Sequence, residues 1–156
     1  IVLIQAIRKH TDLPIIAAGG IVDGVGMAAA FAAGAEGIQM GTRFVSSKES
    51  PVHENFKNSI LDSNEQGTWI LNKKSKPCIR ALKTEFTKQI HEAGIMEMTD
   101  MMKIQDLYFG GDMNAAPALT GQSAGLIDTV KPVSQIIKET IAEFNDACRR
   151  MSKQEF

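Results

Sequence analysis

The first 45 residues contain apolar runs of two kinds, which predict helices and strands in turn. Residues 2–10 repeat apolar positions at helical spacing and predict the end of a helix. The run PIIAA at 14–18 is apolar without alternation, which is typical of a parallel strand buried on both faces. Asp23 can cap the next helix, Gly34 can end it, and EGIQMGTRFV at 36–45 supplies a second strand. This order predicts an α/β fold made of βα units.

Beyond Val45 the pattern predicts mainly helices. A polar turn centred on Pro51 precedes an amphipathic helix, and GTWILNK is a short strand or extended segment. Apolar residues then recur at helical spacing and predict one helix that ends at Gly94; these residues are Ile79, Leu82, Phe86 and Ile90. The methionine-rich stretch with Met98 and Met102 predicts another helix whose methionines fill the core. An amphipathic helix closes the chain.

Composition narrows the class of protein without identifying it. Of the 156 residues, 44% are hydrophobic and 22% are charged, and the net charge of -1 gives no reason to expect nucleic acid or an anionic membrane as partner. No apolar run approaches the ~20 residues that span a bilayer, and the first residues do not resemble a signal peptide, so we expect a cytoplasmic protein. Cys78 and Cys148 lack metal-ligand spacing, so no metal site or disulfide framework is predicted.

Two predicted strands end on glycine, at Gly20 and at Gly41. A glycine at the carboxyl end of a parallel strand lets the backbone approach a ligand, and the N-terminus of the next helix favours an anion there. Because the two turns belong to adjacent βα units, they predict one phosphate site at one edge of the sheet. The alternative is that both glycines only permit tight turns. A dinucleotide site is disfavoured, because the GxGxxG pattern and its later acidic residue are missing.

Four motifs, in this order, resemble the C-terminal part of a known family: PIIAAGGIVDG, GAEGIQMGTRF, KESPVH and GQSAGLI. The family is the FMN-dependent TIM-barrel group of nitronate monooxygenases, also called 2-nitropropane dioxygenases, and flavin-type enoyl-acyl-carrier-protein reductases. PCIRALKTEF is similar to a helical insertion of this family. The resemblance implies that residues 1–50 are the last βα units of the barrel, about strands seven and eight. It further implies that 51–112 are a mainly helical insertion and that 113–156 are a closing segment with the C-terminal helix.

The resemblance also implies FMN as the cofactor. The residues that match its binding positions are Gly19, Gly20, Gln39, Met40, Gly41 and Thr42. Backbone N–H groups and the Thr42 hydroxyl would donate hydrogen bonds to the phosphate. Only one of the side chains of Gln39 and Met40 can point inward, because alternate strand residues face opposite ways.

The motif GQSAGLI contains two further candidates. By the resemblance, Gln122 and Ser123 match the segment of the family that approaches the substrate. The alternative is that this segment only packs against the rest of the protein through the small residues Ala124 and Gly125.

The resemblance implies an FMN-dependent oxidoreductase, and its first interpretation is the oxidation of alkyl nitronates. One alternative is an NAD(P)H-dependent reductase of enoyl thioesters in fatty acid synthesis, and the other is a non-catalytic βα fragment that only binds a phosphate. In either enzyme the flavin carries the electrons, while the protein supplies orientation and electrostatics. The substrate would be a small molecule. The sequence leaves the oligomeric state open, a homodimer included.

The family's catalytic histidine lies on an earlier strand than those in this chain. The three histidines have other interpretations, since His10 ends a helix, His53 lies in a polar turn and His91 lies on the predicted insertion. No catalytic residue is therefore predicted here. A closed barrel needs ~200 to 250 residues, so about six strands, much of the flavin pocket and the catalytic base are expected in a missing N-terminal part. This chain alone is expected to be inactive.

Overall fold

The computed structural model describes residues 1–154 and shows an α/β chain. The strands are β1 (Ile16–Ala18), β2 (Gly37–Gln39), β3 (Thr68–Leu71) and β4 (Ile79–Leu82). The α-helices are α1 (Val2–Arg8), α2 (Gly24–Ala32), α3 (Thr42–Val45), α4 (Glu54–Leu61), α5 (Glu85–Ala93), α6 (Ile104–Tyr108) and α7 (Val133–Ser152). Two 3-10 helices span Met98–Met101 and Gln122–Leu126. The last two residues of the predicted closing segment lie outside the described residues.

The described residues group into two compact units. The first contains Ile1–Met40 and the residues from Lys131 onward, and the second is Gly41–Val130. This grouping follows packing, because α7 packs against α2, whereas the three predicted segments follow the order of the chain. Those segments stay a prediction. No helix within residues 1–154 has both the length and the apolar character needed to cross a membrane.

β1 and β2 are parallel neighbours in the first unit, joined by α2, as the sequence predicts. Ala17 of β1 packs into an apolar cluster whose other buried members are Ile21, Ala30 and Ala35. The opposite face of the strand is open, since Ile16 is 59% exposed and Ala18 is also exposed. The prediction that β1 is buried on both faces is therefore wrong for the described residues. Among them, helices cover one face of this pair and nothing covers the other.

α2 is capped at its N-terminus by Asp23 and packs against α7. The Asp23 carboxylate accepts a hydrogen bond from the Gly26 N–H at 2.7 Å, which confirms the predicted N-cap. On α7, the Phe144 ring meets the Phe31 ring edge to face, with centroids 5.2 Å apart. An ideal Cβ on Gly24 would lie 2.2 Å from the backbone nitrogen of Phe144. The close approach of the two helices therefore depends on glycine at this position.

β3 and β4 form an antiparallel hairpin in the second unit. The strand β3 confirms the short strand predicted in GTWILNK, whereas β4 lies where the sequence predicts the start of one long helix. Ile79 pairs with Leu71 and Leu82 pairs with Thr68, so the prediction of helix across Ile79–Leu82 is wrong. On its other side, the Leu82 N–H donates to the carbonyl of Ala118 at 2.9 Å. The spacing of the apolar residues here is compatible with either a strand or a helix. Hydrogen bonds to backbone groups distant in sequence decide in favour of the strand.

α5 has the boundaries of a well-capped helix. The Thr84 hydroxyl accepts a hydrogen bond from the Thr87 N–H in a capping box, and the predicted end at Gly94 is confirmed. The methionine-rich stretch that follows divides into a 3-10 helix and the short α6 rather than one helix. Met98 is 90% exposed and Met102 is 76% exposed, so the expectation that these methionines fill the core is wrong.

Candidate functional site

The turn after β1 consists of two glycines in the left-handed backbone region. Gly19 has a φ of 94° and Gly20 a φ of 75°, values that glycine adopts freely and that strain most residues with a side chain. An ideal Cβ on either glycine would meet no heavy atom of the described residues within 4 Å, and both glycines are exposed. The turn therefore presents backbone to open space at the carboxyl end of β1.

β2 ends beside β1, because Gln39 pairs with Ala18 in the parallel register. Gln39 is exposed, whereas Met40 packs against the apolar cluster that contains Ala17. The two side chains thus have different environments, as the alternation of a strand requires. Packing occupies the side chain of Met40, and Gln39 lies at the exposed strand end.

The chain turns into α3 directly after β2. Gly41, the predicted end of the second strand, is the N-cap of a helix that begins at Thr42, so the residues of EGIQMGTRFV after Gly41 are helical rather than strand. Gly41 is exposed, and an added Cβ would contact no heavy atom in residues 1–154 within 4 Å. Thr42 Oγ1 accepts a hydrogen bond from the Gly121 N–H at 2.9 Å. Because a hydroxyl can donate once while it accepts, Thr42 keeps its proton for a further acceptor such as a phosphate oxygen.

Two of the N–H groups at the N-terminus of α2, which the sequence suggests would face a ligand, are bonded to carboxylates of the chain. The Glu143 carboxylate accepts from the Gly24 N–H at 2.9 Å, and the Asp23 carboxylate accepts from the Gly26 N–H at 2.7 Å. Two carboxylates of the chain itself therefore satisfy these donors and face the positive end of the helix. An anion near Gly20 would therefore receive no hydrogen bond from the N–H groups of Gly24 and Gly26.

The segment with Gln122 and Ser123 packs tightly within the second unit. The Gln122 amide Nε2 donates to the carbonyl of Glu65 at 3.1 Å, while Ser123 is 8% exposed. Ala124 is fully buried, and an ideal Cβ on Gly125 would lie 2.4 Å from the nitrogen of Glu65. Packing through small residues, the alternative considered from sequence, is therefore present here. It does not conflict with a role for Gln122 and Ser123 near a substrate, which stays a prediction.

The three histidines occupy local structural positions. His10 is exposed just after α1, and His53 caps α4 by accepting a hydrogen bond from the Asn55 N–H at 3.1 Å. His91 on α5 stacks on Trp69, with ring centroids 4.1 Å apart. In the described part of the chain, no group of three or more His, Cys, Asp or Glu residues could hold a metal ion. Nothing in these surroundings marks a histidine as a catalytic base.

Comparison with known proteins gives a clear family match. A sequence model described as nitronate monooxygenase matches residues 1–143. The chain belongs to the nitronate monooxygenase family. The resemblance carried by the four sequence motifs is thereby confirmed.

The proteins that this chain resembles are longer than the chain itself. A probable nitronate monooxygenase of Staphylococcus aureus strain MSSA476 is 31% identical over 151 residues, which are 92% of this chain and 42% of that protein. The structure of FabK from Thermotoga maritima matches with 39% identity and a TM-score of 0.91, over 97% of this chain and 50% of that chain. Nitroalkane oxidase from Streptomyces ansochromogenes, at 24% identity and a TM-score of 0.82 over 96% of this chain and 44% of its own, shows the fold alone. The chain thus spans about half the length of the FabK chain it matches.

Sequence reasoning missed two residues of this family member that lie beside the candidate site. Arg43 is 7% exposed, and its Nη1 donates to the carbonyl of Thr129 at 2.8 Å. Its place directly after Thr42 in the motif MGTRF was the available signal. For Glu143 the sequence offers no such signal. Its carboxylate accepts a hydrogen bond from the Gly24 N–H, and the two residues lie 119 positions apart.

Proposed function

We propose that this chain forms the FMN phosphate site of an oxidoreductase that oxidises alkyl nitronates. In this proposal the chain is the C-terminal part of a TIM barrel and contributes about strands seven and eight. The observation that carries it is the set of glycines at the strand ends, Gly19, Gly20 and Gly41. An added Cβ at each would enter space that no described heavy atom occupies within 4 Å. Membership of the nitronate monooxygenase family supports a flavin as the group that fills this space.

In this proposal each of the two turns supplies hydrogen-bond donors to the phosphate of FMN. Backbone N–H groups at Gly20 and Gly41 would donate to its oxygens, and Gly19 permits the turn. The Thr42 hydroxyl would add a side-chain donor, because its oxygen already accepts from Gly121 and its proton stays available. Met40 would contribute only backbone, since its side chain packs on the apolar cluster. Gln39, exposed at the end of β2, is the side chain of this pair that could meet the cofactor.

The chain supplies binding and orientation rather than the reacting groups. Bound FMN would accept the electrons of the substrate carbanion and pass them to oxygen. The histidines of this chain cap or end helices or stack on Trp69, so we assign the catalytic base to residues outside it. Gln122 and Ser123 would border the substrate, with Ser123 held in place by its burial.

A second candidate function is the NAD(P)H-dependent reduction of an enoyl thioester with FMN. The observation that favours it is the 39% identity to FabK over 97% of this chain, against 31% over 92% for the probable nitronate monooxygenase. Both candidates use the same phosphate site. They differ in the electron donor, which is a nicotinamide in one and the nitronate itself in the other.

The first experiment asks whether a flavin is bound. The longest polypeptide that contains this chain is purified, and the released chromophore is identified by absorption and mass. We expect FMN at one per polypeptide. A protein that binds inorganic phosphate but takes up no FMN on titration would overturn the flavoenzyme proposal and leave the non-catalytic fragment. The 156-residue chain alone is the control, and stoichiometric FMN binding by it would contradict the need for a missing part of the pocket.

The second experiment separates the two enzymes. The flavin-loaded protein is mixed without oxygen with an alkyl nitronate or with NADPH, and the flavin absorbance is followed. Rapid bleaching by the nitronate alone is expected. Rapid bleaching by NADPH would contradict nitronate oxidation as the activity and support the reduction of an enoyl thioester.

A further inference from the structure

The short helix α3 contacts both ends of one distant segment through consecutive residues. At the first end, the Gly121 N–H donates to Thr42 Oγ1 at 2.9 Å. At the other end, Arg43 Nη1 donates to the carbonyl of Thr129 at 2.8 Å. Successive side chains on a helix point about 100° apart, which lets two neighbours reach two different points. Between these points lies the 3-10 helix Gln122–Leu126.

Arg43 is turned away from solvent and toward this segment. Arg43 is 7% exposed, and a hydrogen bond from its Nη1 to Ser46 Oγ, at 3.5 Å, also lies inside the unit. A buried guanidinium must be hydrogen-bonded because its desolvation is costly. An arginine beside a phosphate turn is ordinarily expected to bind the phosphate, often through two parallel bonds. Here the guanidinium is directed to a main-chain carbonyl instead.

We infer that Thr42 and Arg43 form a clamp that positions the segment 121–129, and that Arg43 is a positioning residue rather than a phosphate ligand. The inference rests on the proposed function, since it assigns Thr42 to the phosphate as well as to Gly121. The segment carries Gln122 and Ser123, which the proposal places beside the substrate. The clamp therefore links the turn that anchors the flavin to the groups that meet the substrate.

The main test compares Arg43→Met with the exposed control Lys48→Met, which removes the same charge, in the longest polypeptide that contains this chain. Binding of FMN and of riboflavin is measured for each, because only FMN carries the phosphate. A positioning residue leaves the ratio of the two affinities unchanged, while turnover falls about tenfold through misplaced substrate contacts. A ratio that drops in Arg43→Met but not in Lys48→Met would make Arg43 a phosphate ligand and overturn the inference.

Hydrogen exchange provides a readout that needs no flavin. We expect Arg43→Met to raise the exchange of amides in 121–130 by about tenfold, with Lys48→Met unchanged. Unchanged exchange in Arg43→Met would contradict the clamp, even if the protein binds FMN. Conversely, if the protein binds no FMN but Arg43→Met still raises this exchange, the result would support the clamp and contradict the proposed function.

Conservative variants guard against simple loss of folding. Thr42→Ser keeps the hydroxyl, so it should keep both the FMN to riboflavin ratio and the protection of Gly121. Thr42→Val removes the hydroxyl and should lower both. Arg43→Lys keeps one donor and should recover part of the turnover lost in Arg43→Met. If Thr42→Val changes the exchange of Gly121 no more than Thr42→Ser does, the link between anchor and segment is absent.

Discussion

The strand-end turns and the contact between α2 and α7 both depend on glycine, for opposite reasons. At Gly20 and Gly41 an added Cβ would meet no described heavy atom within 4 Å. At Gly24 it would lie 2.2 Å from the nitrogen of Phe144 and 2.3 Å from the carbonyl oxygen of Thr140. In the packed contact the missing side chain makes room for the protein itself. In the turns an added side chain would meet no described atom of the chain, and our proposal assigns this space to the phosphate of FMN.

This contrast separates two effects of the same substitution. A methyl group in the packed contact should reduce the free energy of unfolding, whether or not a ligand is bound. A methyl group in an open turn should reduce the affinity for a ligand that occupies the turn. The variants below test that separation, and any variant that shows both effects where one is expected weakens it.

The largest effect is expected for Gly24→Ala. Its Cβ would overlap backbone atoms of α7, which cannot rotate away as a flexible side chain can, so the free energy of unfolding should fall by roughly 3 kcal/mol. Denaturant unfolding measures this change. The matched control is Gly26→Ala on the same helix, where the nearest atom is 3.3 Å away and the gain in helix propensity of about 1 kcal/mol opposes the crowding. Equal losses in the two variants would mean that α2 and α7 are not held this closely.

Gly41→Ala should weaken FMN binding and leave the fold intact. Gly41 has a φ of -96°, which alanine adopts freely, so the free energy of unfolding without flavin should change by less than about 0.5 kcal/mol. Loss of the close backbone approach to the phosphate should lower FMN affinity about 30-fold, or about 2 kcal/mol. Flavin titration followed by fluorescence measures it. Unchanged affinity would show that the open space at Gly41 is not the phosphate position.

Gly20→Ala should combine a small loss of stability with a loss of affinity. Its φ of 75° should cost a side chain roughly 1 kcal/mol in the free energy of unfolding. Gly20→Asn is the control, because asparagine tolerates this backbone region while it still adds a Cβ. The asparagine variant should regain stability and still bind FMN poorly. Recovery of both properties would assign Gly20 to the turn alone.

The smallest effect concerns pH and a packed ring in the second unit, Tyr108. Burial beside Phe56, with ring centroids 5.3 Å apart, raises the pKa of Tyr108 above its ordinary value. The folded protein then holds the phenol proton more tightly than the unfolded chain. The contribution of Tyr108 to stability is complete below about pH 10 and declines as the pH rises above it. Tyr108→Phe should unfold with a weaker pH dependence between about pH 9 and 11, and an identical dependence would contradict the burial of this ring.

Local signals predicted the elements whose causes are local. Asp23 caps α2 and Gly94 ends α5 because each interaction involves residues within a few positions. The helical spacing from Ile79 to Ile90 failed because its first part pairs with β3 and with Ala118, and the pattern of one segment contains no record of such partners. The motifs did identify the family, as the match of its sequence model to residues 1–143 shows.

The sequence by itself determined the order of β1, α2 and β2, the glycines at the strand ends, and membership of the nitronate monooxygenase family. Only the tertiary structure decided which donors are already occupied. The Glu143 carboxylate accepts a hydrogen bond from the Gly24 N–H, 119 positions away, so this donor at the N-terminus of α2 is occupied by the chain itself. Arg43 bonds to Thr129, so its charge is directed inward. The physical reason is that each residue type determines which donors and acceptors it has, whereas the packing of distant segments determines which of these groups meet.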